Sequence, residues 1–214
     1  MPMVAKETMA TAAAPYGLMA MGALHDAGRT LVLVGTDAHF WRVFRSSPEA
    51  ADGLPDPVDR FSLRVFPLLA HQVGADDCVY PFGGPPYAPF IAWAKASGEA
   101  FDSPTGMLVH IKAGLMISYR GALVFEGERP LTGQGHPHPC DTCNDRPCET
   151  ACPVDALSTD HFYDVPSCKT YLATVAGQSC MQEGCAVRQS CPISQSFNRP
   201  PAQSAYHMHQ FKGA

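Results

Sequence analysis

Residues 140–153 read CDTCNDRPCETACP, and this stretch carries Cys140, Cys143, Cys148 and Cys152. The spacing C-x2-C-x4-C-x3-C-P lengthens one gap of the C-x2-C-x2-C-x3-C-P run that binds four-iron four-sulfur (4Fe–4S) clusters. Cysteine pairs also bind zinc, and cysteine-rich chains also form disulfides, so both alternatives stay open. Because a zinc site does not explain the C-x3-C-P ending, the stretch predicts an iron–sulfur cluster.

A second group of cysteines follows, and its last member again precedes a proline. Its members are Cys168, Cys180, Cys185 and Cys191. In two-cluster runs the cysteine before each proline binds the other cluster, so this rule predicts two ligand sets. The first set is Cys140, Cys143, Cys148 and Cys191, and the second set is Cys152, Cys168, Cys180 and Cys185. A regular second motif has a cysteine where Arg188 stands, so a single cluster with additional thiols is the alternative.

Three further residues have metal-binding side chains outside these sets. Cys78 lies in an apolar stretch, and we interpret it as a buried packing residue. His136 and His138 precede the first cysteines. They are either ligands or tuning groups of the first cluster, or members of a solvated loop bounded by prolines.

The composition restricts the class of protein. The chain has 214 residues and a net charge of −5, which argues against a broad nucleic-acid-binding face. The N-terminus carries Glu7 and lacks the long apolar core of a secretory signal, and no run of about 18 apolar residues predicts a membrane span. Clustered cysteines in such a chain favour metal binding, so we expect a soluble, cytoplasmic protein.

Hydrophobic periodicity predicts an α+β fold before the cysteines. Helices are predicted over 5–27, over 58–73 from a start at Asp56-Pro57, and over 88–97. Pro67 lies inside the second helix, where it predicts a kink or a break. Strands are predicted at 30–35, 78–80, 115–119 and 122–125, the last two joined by a tight turn at Arg120-Gly121.

The distribution of cysteines predicts four segments. An α/β layered domain is expected over residues 1–130, a linker over 131–139, a cluster-binding module over 140–192 and a C-terminal tail over 193–214. The tail shows no periodicity, so it either wraps the module or is loose.

Motifs on both sides of residue 140 give the chain a resemblance to a known family. F-D-S-P (101–104) precedes H-I-K-A-G-L-M-I-S-Y-R-G-A-L-V-F (110–125), and C-K-T-Y-L (168–172) follows the first cysteines. This order resembles epoxyqueuosine reductase and the reductive dehalogenases. Those enzymes join a cobalamin-binding domain, related to the cobalamin-processing chaperone and to flavin nitroreductases, to a bacterial ferredoxin-like module with two 4Fe–4S clusters. The resemblance covers about residues 101–192 and extends weakly back to about residue 16.

The resemblance implies a role for Asp102, which matches the family's proton donor beside cobalt, and a cobalamin or flavin as a further cofactor. Asp-Ser-Pro is also an ordinary turn opening, so a purely structural Asp102 is equally open. The residues from Lys112 to Leu115 match the family's K-A-G-L, but the interval from Asp102 is about two residues shorter. The family's G-K-N reads Tyr119-Arg120-Gly121, and the tRNA-binding repeats are absent, so the resemblance implies a truncated form that does not act on tRNA.

Three functions are consistent with these features. The first is an iron–sulfur electron-transfer protein that serves a redox partner protein or a small-molecule acceptor. The alternative is a reductase of a small molecule, in which the clusters feed electrons to a corrinoid or flavin and Asp102 donates a proton. A third interpretation makes the clusters structural or sensory. Neither a nucleic acid nor a membrane is an expected partner.

Overall fold

The computed structural model describes residues 6–131, 135–159 and 163–213. It mixes helices with small antiparallel sheets, which confirms the α+β class at this coarse level. The elements are α1 (Lys6–Ala13), β1 (Leu18–Asp26), β2 (Arg29–Thr36), α2 (Phe40–Arg45), α3 (Pro48–Ala51), α4 (Pro57–Val73), β3 (Asp77–Val79), α5 (Phe90–Ala96), β4 (Ala100–Asp102), β5 (Leu108–His110), β6 (Tyr119–Phe125), α6 (Val165–Leu172), α7 (Gln178–Glu183), α8 (Ala186–Ser190), α9 (Pro192–Phe197) and α10 (Pro201–Lys212).

The chain divides into two compact units. The first unit comprises residues 1–100 and 118–136, and the second comprises residues 101–117 and 137–214. This division assigns residues 101–117 to the cysteine-containing unit, whereas the sequence suggested a domain over 1–130. The reason is local: Leu115 is buried in the same apolar core as Cys148 and Cys191.

The first unit is built on a four-stranded antiparallel sheet in the order β1-β2-β6-β3. β1 and β2 form a hairpin, and its turn residues Ala27 and Gly28 both have positive φ, 50° and 75°. The predicted helix over 5–27 is therefore wrong beyond α1. Its apolar residues fit a strand as well as a helix, and pairing with β2 favours the strand.

The other predictions for this unit have mixed outcomes. The strand predicted at 30–35 is confirmed by β2, the strand at 78–80 by β3, and the helix over 88–97 by α5. The helix predicted from Asp56-Pro57 is confirmed by α4, which continues through Pro67 without a break.

The predicted hairpin at Arg120-Gly121 is wrong, because both residues lie inside the single strand β6. Gly121 suggests a turn, but it is needed for packing: a Cβ there would lie 2.3 Å from the ring of Phe66 on α4. Arg120 is buried, and its Nε donates a 3.0 Å hydrogen bond to the hydroxyl of Ser62. A close approach of helix to sheet thus explains a glycine that sequence reasoning assigned to a turn.

The second unit contains the two-stranded sheet β4-β5, whose first strand marks the boundary, and helices α6 to α10. Residues after 192 form α9 and α10, so the C-terminal segment is helical, which its missing periodicity did not predict. Helix α10 packs on α7. The buried residues of α10 are Gln203 and Ser204, which are polar. A pattern of apolar residues therefore cannot reveal this helix.

In the part of the chain that the structure describes, every helix is too short or too polar to cross a membrane.

Candidate metal centres

The four cysteines of the first set line one cavity of the second unit, with a volume of about 150 Å³. Cys140 and Cys143 lie on one turn, in which the Cys143 amide donates a 3.2 Å hydrogen bond to the Cys140 carbonyl. Cys148 lies in a 3-10 turn that begins at Pro147, and Cys191 lies between α8 and α9. The structure thus brings Cys191 to the three cysteines that precede it by more than 40 residues.

Apolar side chains surround the first set. Val109, Leu115 and Ile193 line the cavity together with the thiols. Cys148 and Cys191 are only 7% and 8% exposed. Such a lining lowers the local dielectric constant and limits access of water to anything bound to the four sulfur atoms.

The cysteines of the second set come from four separate segments. Cys152 follows the 3-10 turn, Cys168 lies in α6, Cys180 lies in α7 and Cys185 precedes α8. Burial, followed by the charges of Cys185, Cys152 and Cys180, raises the pKa of Cys168 to about 11. The four thiols are therefore electrostatic neighbours. Cys168 and Cys180 also share an apolar core, whose other members are Leu172, Met181, Tyr171, Ala186, Met208 and Phe211.

The same mutual repulsion acts within the first set. Burial, and then the charges of Cys148, Cys191 and Cys143, raise the pKa of Cys140 to about 11. Burial and nearby thiolates also raise the pKa of Cys148. Neighbouring thiolates repel one another in the absence of a cation, whereas bound iron would replace their protons and offset that repulsion. The donor chemistry of both sets therefore fits a thiolate-bound iron–sulfur cluster.

Backbone N–H groups point at sulfur atoms of the second set. The amide of Ala156 donates to Cys152 Sγ at 3.2 Å, and the amide of Ala186 donates to Cys180. N–H groups that donate to a ligating sulfur stabilise its negative charge and raise the reduction potential of a bound cluster.

The two alternatives to clusters concern zinc and disulfides. All nine cysteines are free thiols, so the structure forms none of the disulfides that the sequence left open. Among the residues described, no group of three or more His, Cys, Asp or Glu side chains converges closely enough to hold a metal ion. A single zinc ion, with Zn–S distances of about 2.3 Å, holds its sulfur ligands within about 4 Å of one another. The thiolates of a 4Fe–4S cluster bind four different irons and stand farther apart.

His138 has a structural role that its ring nitrogens define. Its Nδ1 accepts a 3.1 Å hydrogen bond from the amide of Cys140, and its Nε2 lies 3.0 Å from the Asp102 carbonyl. Nδ1 is an acceptor, so Nε2 carries the proton and donates it. Both ring nitrogens of His138 are hydrogen-bonded to the backbone, so neither is available as a metal ligand. The side chain instead orients the turn that carries Cys140 and Cys143. His136 belongs to the first unit.

Asp102 ends β4, and its side chain is exposed. The side chain does not line the cavity of the first set, but those of Ser103 and Pro104 do. Cys78 lies in β3 of the first unit and is half-buried, which is less than the full burial that the sequence suggested.

The K-A-G-L motif forms a turn against α9. His110 Nδ1 accepts hydrogen bonds from the amides of Lys112 (3.1 Å) and Ala113 (3.2 Å), and the Leu115 amide donates to Ser194 Oγ at 2.8 Å. The turn sets the position of Leu115 in the cavity wall. Sequence reasoning missed His110 and Ser194, because no sequence spacing marks a histidine or a serine whose side chain accepts hydrogen bonds from backbone amides.

In comparisons with known proteins, no family model matches the chain and no curated protein is significantly similar to it.

Proposed function

We propose that the two cysteine sets each bind a 4Fe–4S cluster and that the chain is an electron-transfer protein. One observation carries this proposal: Cys191 joins Cys140, Cys143 and Cys148 in the lining of one cavity, as the crossed C-P pattern requires. The second unit would then be a ferredoxin-like module. The first unit would be the α/β partner that the resemblance to epoxyqueuosine reductase and the reductive dehalogenases implies.

A bound 4Fe–4S cluster accepts and releases one electron at a time. The side chains around a cluster would make this electron exchange reversible by holding the same positions in the oxidised and reduced states. The thiolates hold the irons, apolar neighbours such as Leu115 and Met181 exclude water, and the Ala156 amide stabilises the sulfur of Cys152. Electrons would arrive from a redox partner protein and leave to a second protein or to a small-molecule acceptor.

Reversible reduction tests this function against structural or sensory clusters. The protein is purified without oxygen and titrated with dithionite while visible absorbance and electron paramagnetic resonance (EPR) are recorded. We expect bleaching on reduction, full recovery on reoxidation and unchanged iron content after several cycles. Clusters that cannot be reduced, or that are lost in the first cycle, would contradict an electron-transfer role.

The reductase of a small molecule is a second candidate, supported by the exposure of Asp102 next to Ser103 at the first cavity. It requires cobalamin or a flavin in addition to the clusters. Cobalt and flavin measured in the same preparation, before and after incubation with cobalamin, distinguish the two candidates. A stoichiometric corrinoid or flavin favours the reductase, and Asp102→Asn should then slow proton transfer without changing iron content. No retained cofactor favours the electron-transfer protein.

A further inference from the structure

Two arginines of the second unit donate hydrogen bonds to adjacent carbonyl groups. Arg188 donates to the carbonyl of Leu115, and Arg199 donates to the carbonyl of Met116. Both arginines are half-buried, and the Nε of Arg199 is shielded from water without a hydrogen-bond partner. Within the described residues, neither arginine forms an ion pair with a carboxylate.

A guanidinium group that is partly removed from water and has no countercharge destabilises the folded protein. Moving an ion out of water into a protein interior costs several kcal/mol even after relaxation. Burial and the neighbouring charge of Arg188 both disfavour the charged form of Arg199, and lower its pKa to about 9. Two half-buried guanidinium groups that repel each other, and that donate to backbone carbonyls, therefore favour a negatively charged group close to them.

Arg188 lies between the two ligand sets. It is the central residue of α8, a five-residue helix flanked by Cys185 of the second set and by Cys191 of the first. The residue whose carbonyl it contacts, Leu115, lines the cavity of the first set. On the other side, Cys185 of the second set is the residue from which α8 begins, three positions before Arg188.

We propose that Arg188 and Arg199 are the counter-charges of the two clusters and raise their reduction potentials. This inference rests on the proposed function. A cluster held by four thiolates is negatively charged, and reduction adds one more negative charge. A fixed cation in a low-dielectric site stabilises the reduced form more than the oxidised form, so its presence raises the potential. Arg188, which occupies the place of a missing cysteine, would thus tune the clusters instead of binding one.

Two substitutions of Arg188 separate its charge from its hydrogen bond. Arg188→Gln removes the charge but keeps an N–H donor for the Leu115 carbonyl, whereas Arg188→Lys keeps the charge. The measurement is a redox titration followed by EPR on protein with wild-type iron and sulfide content. We expect Arg188→Gln to lower the ratio of reduced to oxidised cluster at a fixed potential about tenfold, which corresponds to about 59 mV for one electron. Arg188→Lys should stay close to the wild type.

Arg199→Gln and Arg199→Lys form a second pair with the same expectation, and decide the question if the Arg188 variants lose iron. Arg146→Gln is the comparison: Arg146 also lines the cavity of the first set, but its side chain is 53% exposed and lies 3.6 Å from Glu149. Its effect should be smaller, since water screens an exposed, paired charge. Unchanged potentials in fully loaded Gln variants, or equal shifts in the Gln and Lys variants, would overturn the inference. Wild-type protein without iron would instead overturn the proposed function, before any variant is made.

Discussion

Burial raises the pKa of Cys78, Cys140 and Cys168 alike, so burial by itself does not mark a ligand. The neighbours differ. After burial, the largest charge effect on Cys78 comes from Asp77, whereas the largest charge effects on Cys140 and Cys168 come from other thiols. A group of thiols with no carboxylate among its strongest neighbours is the arrangement that a cluster requires, and a single thiol beside an aspartate is not.

The first prediction separates the two sets by substitution. Cys143→Ser and Cys185→Ser should each remove about four of about eight irons, since a serine oxygen replaces a thiolate poorly and only one cluster loses a ligand. Iron and sulfide are quantified per chain. Cys78→Ser is the control and should retain all of the iron. The assignment would be contradicted if Cys78→Ser lost its iron, or if Cys143→Ser and Cys185→Ser both kept all of theirs.

The second prediction concerns an ion pair of the first unit. Glu49 is 7% exposed, and Arg64 Nε donates to its carboxylate at 2.5 Å. The hydrogen bond from Arg64 lowers the pKa of Glu49 from 4.5 to about 2. Because the folded-state pKa lies below the unfolded one, the pair stabilises the unit above pH 4.5 and loses that contribution as the pH falls towards 2. We expect a loss of about 1–2 kcal/mol in the free energy of unfolding.

Tryptophan fluorescence measures this effect, since both tryptophans, Trp41 and Trp93, belong to the first unit. Urea unfolding is followed at several pH values between 5 and 2. Glu49→Gln should flatten the pH dependence in that window and lower the stability at pH 7. A Glu49→Gln variant with the same slope as the wild type would show that other carboxylates cause it.

Residue types at fixed spacing predict the two sets of cysteines, because the crossed C-P pattern is a property of the sequence, and the members of the first set line one cavity. The roles of Arg188 and His138 were not predictable in the same way. Their functions depend on the Leu115 and Asp102 carbonyls, which are 73 and 36 residues away in sequence. A side chain that contacts a distant backbone group has no local pattern.

At the scale of elements, the turn from His110 to Leu115 is seated against α9 by close backbone contact. Gly114 has φ of +55°, and a Cβ there would lie 2.4 Å from the amide nitrogen of Ser194. Ser194 is 2% exposed, and its hydroxyl accepts the Leu115 amide hydrogen bond. Glycine is therefore required both for the left-handed conformation and for the contact.

The third prediction tests this contact between the turn and α9. Ser194→Ala leaves a buried amide without an acceptor, which costs about 1–3 kcal/mol. Hydrogen exchange of peptides over residues 110–117 should become faster in this variant. Ser196→Ala is the matched control on the same helix, because its hydroxyl donates only to the Pro192 carbonyl within α9 at 3.1 Å. Equal hydrogen exchange in the two variants would contradict the proposed role of Ser194 in holding the turn against α9.

Helix α10 packs on α7, next to the core that contains Cys168 and Cys180 of the second set. Phe211 lies against the core that contains Cys168 and Cys180, and its ring stacks on Tyr163 with centroids 5.7 Å apart. Residues after the last cysteine thus belong to the environment of the second set. An aromatic ring at this position limits the access of oxygen and water to the sulfur atoms beneath it.

The fourth prediction follows from this cover. Phe211→Ala should make about half of the visible absorbance bleach several-fold faster in air, because only the second cluster loses its cover. His209→Ala, at an exposed position of the same helix, is the control and should bleach at the wild-type rate. Uniform bleaching of the whole absorbance in Phe211→Ala would show that α10 stabilises the unit generally.

The outcomes at this scale show which elements a sequence can predict. α4 has a proline start at Pro57, a wide apolar stripe and an ending at Gly74, and these signals together outweigh Pro67. β1 and α10 lack that agreement. The apolar residues of β1 suit two periods equally, and α10 buries Gln203 and Ser204 where a pattern search expects apolar residues. Both elements are decided by the partner they pack on.

At the scale of the whole molecule, the eight cysteines of the two sets and the four-stranded sheet belong to separate compact units. The second unit contains both ligand sets and the residues that support them, from the turn at His110 to α10. The first unit contains the four-stranded sheet and both tryptophans. Under the proposed function, electron transfer would take place in the second unit.

The central claim is that eight cysteines hold two 4Fe–4S clusters, and metal content measures it most directly. The protein is purified without oxygen, and iron, acid-labile sulfide and zinc are quantified per chain, together with Mössbauer spectroscopy of ⁵⁷Fe-labelled protein. The account predicts about eight irons and eight sulfides, with spectra typical of 4Fe–4S clusters and little zinc. About four irons would reduce the account to a single cluster, and stoichiometric zinc without sulfide would contradict it.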